Sequence, residues 1–104
     1  MKKQLALWLC LAACGPSEEE RTRADDVAEL PGDAAVGAAL YDEACARCHG
    51  PEGAGASARD LFDASTWPAD EVVLVLLQGP RVMPSFADWS DDDLADVVAF
   101  VQEL

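Results

Sequence analysis

The stretch Cys45-Ala46-Arg47-Cys48-His49 decides how the rest of this chain is read. It sets two thiols three positions apart and places beside them the single imidazole of the whole sequence. Ahead of it, positions 33, 36, 37, 40, 41 and 44 share one helical face, and Asp33 is suited to cap the first turn of that helix. Behind it comes Gly50-Pro51-Glu52-Gly53-Ala54-Gly55, a run that breaks regular structure. Two sulfurs and a ring nitrogen therefore cluster where a helix gives way to a loop.

Several chemistries use cysteines at this spacing. A structural zinc site takes four ligands, normally completed by a second Cys/His cluster, and no Cys or His follows His49. A thioredoxin-like redox pair follows a strand inside a sheet, whereas a helical pattern precedes this one. A Cys45–Cys48 disulfide would close too small a loop to add much stability and gives His49 no role. Covalent haem attachment employs all three side chains. Each thiol adds to one vinyl group of the porphyrin, and the adjacent imidazole falls beneath the iron as an axial ligand.

The remaining pattern is mostly helical, so an all-α fold is expected. Pro68 marks a helix start, Asp70 and Glu71 suit its first turn, and Gly79-Pro80 stops it. The enclosed run Val72-Val73-Leu74-Val75-Leu76-Leu77 has the composition of a buried strand as well, but the chain offers no convincing partner strand. A last helix is clearer: Leu94, Val97, Val98 and Val101 repeat at helical spacing, with Phe100 and Leu104 widening the stripe. Ser90 and Asp93 resemble a capping box, and Trp89 with Leu94 a hydrophobic staple. Three apolar helices joined by the loops at 50–55 and 79–85 make a thin core, which a bound apolar group would fill.

With these residues in place, the chain resembles the class I cytochrome c family from Asp33 to Leu104. The resemblance implies a small cytochrome c-type fold, three main helices plus loops around one covalently attached haem c. It implies that Cys45 and Cys48 carry the haem, that His49 is one axial ligand of the iron and that Met83, followed by Pro84 in the loop before the last helix, is the other. It also implies that Gly37 allows a close crossing of the last helix and that Tyr41 pairs with Phe100. Apolar contacts to the haem are expected from Leu61, Trp67, Leu76 and Phe86, and Arg59 or Arg81 is a candidate partner for a propionate. One departure stands out. Where the family often has Gly-Pro-x-Leu, its proline carbonyl accepting from the ligand histidine, this chain has Ala58-Arg59-Asp60-Leu61.

The N-terminus reads as an address. Met1-Lys2-Lys3 is basic, the apolar run to Ala13 is shorter than the roughly 20 residues of a membrane span, and small residues end it. Leu11-Ala12-Ala13-Cys14 resembles the lipobox of bacterial lipoproteins. The expected organisation is a removable signal peptide over 1–13, a lipidated Cys14 opening a flexible acidic tether over 14–32, and a cytochrome c domain over 33–104. The tether is expected to be an extended coil because Glu18-Glu19-Glu20 and the following charges repel one another. Cys10 has no assigned role. Without lipid on Cys14, the protein would be soluble in the periplasm. With it, the protein sits on the periplasmic face of a bacterial membrane, and Gly15 in place of an Asp favours the outer one.

Of the 104 residues, 20 are Asp or Glu and 7 are Lys or Arg, a net charge of −13 that argues against a nucleic-acid partner. It favours redox partners with a basic docking patch instead. The expected function is one-electron transfer, not enzymatic turnover, because two side-chain ligands leave no open iron position. Two alternatives stay open: a haem sensor or small peroxidase in which Met83 dissociates, and a dedicated electron-input subunit of a larger oxidoreductase.

Overall fold

In the computed structural model, residues 15–104 are described; the expected signal peptide, Cys10 and Cys14 lie outside them. Five α-helices follow one another: α1 (Glu18–Ala28), α2 (Ala34–Ala44), α3 (Ala46–His49), α4 (Ala69–Gln78) and α5 (Asp91–Val101). Short 3-10 turns lie at Pro51–Gly53 and Ala64–Thr66, and no strand occurs among the described residues. The all-α expectation is met.

The three expected helices form for the local reasons the residues suggest. The Asp33 carboxylate accepts from the backbone N–H of Ala35 at 3.0 Å and Val36 at 3.3 Å, capping α2. The apolar run after Pro68 is helix, not strand. Val72, Val73, Leu76 and Leu77 fall on one buried helical face, and Gly79 ends α4 in the left-handed conformation at φ 59°. Ser90 accepts from Asp93 N–H at 3.1 Å and so caps α5, which buries Leu94, Ala95, Val97, Val98 and Val101.

The tightest packing is the crossing of α2 on α5. Gly37 lies directly against the backbone carbonyl of Asp96, and a Cβ built on it would collide with that oxygen and come within 3.0 Å of Phe100 Cβ. No side chain larger than hydrogen fits there. The Asp96 carboxylate accepts from Asp33 N–H at 2.7 Å, tying the start of α2 to the same stretch of α5. One turn further along, the Tyr41 and Phe100 rings meet at 5.1 Å with a tilt of 47°.

The expected tether is the one clear correction. Residues 18–28 form α1, and the folded unit has four long helices in place of three. Ser17 and Glu20 make a complete capping box: Glu20 N–H donates to Ser17 Oγ at 3.1 Å, and Ser17 N–H to Glu20 Oε1 at 2.9 Å. Glu18, Glu19 and Glu20 occupy the first turn, where the helix dipole favours negative charge. Ala24 and Val27 are three positions apart and fully buried, and α1 packs on α4 and, less extensively, on α5. Self-repulsion of the charges is overcome by an apolar stripe only two residues wide. Since Val27 is core, Val27→Ala in the haem-loaded protein should cost about 2 kcal/mol, read as a lower urea midpoint at unchanged slope. A free tether would give no change.

Candidate cofactor site

Cys45 follows the last residue of α2, its N–H donating to Tyr41 O at 2.8 Å, and the single turn of α3 then carries Cys48 and His49. His49 N–H donates to Cys45 O at 3.0 Å. The turn thus presents both sulfurs and the imidazole within five residues of backbone. Cys45 is buried and Cys48 exposed, and the two are not joined in a disulfide. Burial pushes the Cys45 thiol up to about 11.

His49 is oriented from behind. Its Nδ1 lies 2.9 Å from the backbone carbonyl of Arg59. A carbonyl can only accept, so Nδ1 carries the proton and Nε2 keeps its lone pair for a metal. The carbonyl sits at the position where the Gly-Pro-x-Leu pattern would have its proline, so replacing that residue with arginine leaves the acceptor in place.

The loop reaches this position because it doubles back. Ala58 N–H donates to Cys48 O at 2.8 Å and Leu61 N–H to Gly53 O at 2.9 Å. Gly50 stands at φ 81°, and a Cβ on it would lie 2.6 Å from Gly55 O, so only glycine permits the return. The buried Tyr41 hydroxyl donates to Gly50 O at 2.7 Å and pins the start of the loop to α2. Burial raises the Tyr41 pKa above its ordinary value, which keeps that donor protonated.

Met83 comes from the other long loop, between α4 and α5, and is half-buried against the core. Its N–H donates to Pro80 O at 3.1 Å. The same loop is fixed to the end of α4 by Phe86 N–H to Leu76 O at 2.7 Å and Ser85 Oγ to Leu77 O at 2.6 Å. Of the expected apolar contacts, Leu76 is buried, Leu61 and Phe86 are half-buried, and Trp67 is exposed. Three of the large apolar side chains left exposed, Phe62, Trp67 and Val82, belong to these two loops, and Val82 is fully exposed. Arg59 engages Asp63 at 2.7 Å. Cys14 lies outside the described residues.

A thiol pair, an imidazole with its metal-binding nitrogen free, and apolar loop residues suit a covalently held haem. The family model described as cytochrome C oxidase, cbb3-type, subunit III matches residues 32–101. The chain belongs to that family, as a monohaem class I c-type cytochrome. Cytochrome c-551 of Bacillus subtilis (strain 168) is 28% identical over 95 residues, covering 90% of this chain and 83% of the relative. No solved structure matches. Family membership carries one covalent haem c and a role as an electron carrier, not an enzyme.

The family match begins just before α2, so α1 lies outside it. The sequence leaves the acceptor behind His49 open within Ala58-Arg59-Asp60-Leu61, since a backbone acceptor has no residue signature, and the structure assigns it to Arg59. In this cytochrome Tyr41→Phe should keep the ring contact to Phe100 but leave Gly50 O without its donor. The expected loss is about 1–2 kcal/mol in urea unfolding of the haem-loaded protein, with its visible spectrum retained.

Proposed function

We propose that this cytochrome shuttles single electrons between redox proteins at a membrane surface, with haem bonded to Cys45 and Cys48 and its iron ligated by His49 and Met83. The observation that carries the reading is the bond from His49 Nδ1–H to the Arg59 carbonyl, which aims a free ring nitrogen from the same turn that holds both thiols. When bound, haem supplies a one-electron iron couple whose potential is set by its axial ligands and their surroundings. His49 contributes a nitrogen whose basicity is raised by the hydrogen bond behind it. Met83 contributes a soft thioether that favours the ferrous state, so the potential lies above that of a bis-histidine site. With His49 and Met83 holding the iron, oxygen and peroxide would find no coordination site, and the group would supply one-electron chemistry without turnover.

The acidic surface selects partners with a basic patch around their own redox centres, and association slows as salt rises. Cys14 is the proposed lipid anchor on the periplasmic face of a bacterial membrane, with Gly15 favouring the outer one. Only Gly15, Pro16 and Ser17 separate Cys14 from α1. Three residues reach about 10 Å at full extension, against an r.m.s. of roughly 25 Å for the 18-residue coil expected of the sequence. The anchored domain therefore works close to the bilayer, and its search for partners is nearly two-dimensional.

Ferric protein is expected to show the weak far-red sulfur-to-iron band, and ferrous protein to resist carbon monoxide. Met83→Ala should abolish the band and admit carbon monoxide within the mixing time. Rapid carbon monoxide binding by the unmutated protein would overturn the His49/Met83 assignment. The mass of the denatured protein from membranes should exceed that of residues 14–104 by one haem plus the lipid. A haem increment alone would remove the anchor and leave the carrier.

A further inference from the structure

The side chain of Arg23, on α1, reaches across to the segment that joins the Met83 loop to α5. Its Nη1 donates to Ala87 O at 2.7 Å, its Nη2 to Trp89 O at 2.6 Å and its Nε to Asp91 Oδ1 at 2.8 Å. Three acceptors on one guanidinium form a planar fork that no other cationic side chain can reproduce. Ala87 and Trp89 lie in irregular backbone, so these are carbonyls with no helical partner.

The other end of the loop is held differently. Leu76 and Leu77, in the last turn of α4, take Phe86 N–H and Ser85 Oγ. Packed on α4 are the buried Ala24 and Val27 of α1. A single helix thus grips both supports of the loop: α4 through its apolar stripe, and residues 87–91 through Arg23. Phe86 and Trp89, edge to face at 4.8 Å, link the two gripped ends.

We propose that α1 is a clasp on the Met83 loop, with Arg23 as its positioning residue. The inference rests on the reading of Met83 as axial ligand. A thioether is a weak donor, so the fraction of molecules in which Met83 is released depends on how readily its loop opens. Each bond that Arg23 makes to the closed loop is lost on opening, which shifts the balance toward the ligated form. The clasp lies outside residues 32–101, which the family model matches.

The test uses the haem-loaded protein with Arg23→Ala, Arg23→Lys and Asp91→Asn. Arg23→Ala should raise amide exchange over 85–91 and the rate of carbon monoxide binding to ferrous protein, each about tenfold, the worth of one charge-assisted hydrogen bond. Arg23→Lys should not restore either, because a compact ammonium cannot serve two carbonyls and a carboxylate at once. Asp91→Asn, which spares both carbonyl bonds, should change either readout less than about threefold. Wild-type exchange over 85–91 in Arg23→Ala would overturn the clasp. So would equal loosening of α2, which would mark Arg23 as a contributor to global stability only. Should the unmutated protein bind carbon monoxide as fast as Met83→Ala, the ligation reading fails by itself, and exchange over 85–91 still decides whether Arg23 holds the loop.

Discussion

The crossing of α2 on α5 at Gly37 is the constraint from which the site is built. Because Gly37 has no side chain, the α2 backbone reaches the Asp96 carbonyl, and this approach brings Tyr41 onto Phe100. The Tyr41 hydroxyl then donates to the Gly50 carbonyl, and that bond ties the start of the loop to α2. The loop returns past Gly55, and its Arg59 carbonyl arrives behind His49. A steric fact about one glycine is thereby transmitted through an aromatic pair and two hydrogen bonds to the proton on an imidazole. Each link is short and local, so the imidazole is aimed by the protein before any metal acts on it.

The two sides of the site are supported by different means. On the His49 side the loop is closed by backbone bonds to α3, by the Tyr41 hydroxyl from α2 and by the 3-10 turn at Pro51–Gly53. On the Met83 side the loop has few bonds of its own and is held at its ends, by the carbonyls of the last turn of α4 and by a guanidinium from α1. Its middle carries Arg81 at φ 57°, a left-handed conformation that disfavours a side chain. A histidine nitrogen is the stronger donor and a thioether the weaker. On the proposed ligation, external support would therefore concentrate where intrinsic affinity is lowest.

Much of this was legible in the residues because short-range signals carried it. The attachment turn, the Asp33 cap, the Gly79 stop and the helical face of α5 each occupy a few consecutive or periodically spaced positions, and each appears where its pattern stands. The Gly37 crossing and the Tyr41–Phe100 pair came from resemblance to a family, since nothing in the spacing says what a glycine faces. The Arg59 carbonyl follows from the position of the family pattern, not from its side chain, since any residue there supplies the acceptor. The extended coil expected over 14–32 gives way to helix at 18–28 for a different reason. Its charge density masks the capping box of Ser17 and Glu20, and only two apolar positions, Ala24 and Val27, are buried on the helix.

That difference identifies what charge patterning does and does not decide. Repulsion between exposed carboxylates is screened over about 8–10 Å and contributes tenths of a kcal/mol per pair. A fully buried valine contributes on the order of 1.5–3 kcal/mol, and capping adds about 1 more. The three glutamates lie in the first turn of α1, where the dipole attracts them, so even the sign of their contribution is favourable there. An acidic segment stays extended only when it lacks a surface to bury against. Here α4 and α5 supply that surface. The segment that composition assigns to solvent becomes part of the core, and with it comes the Arg23 fork on the segment between the Met83 loop and α5.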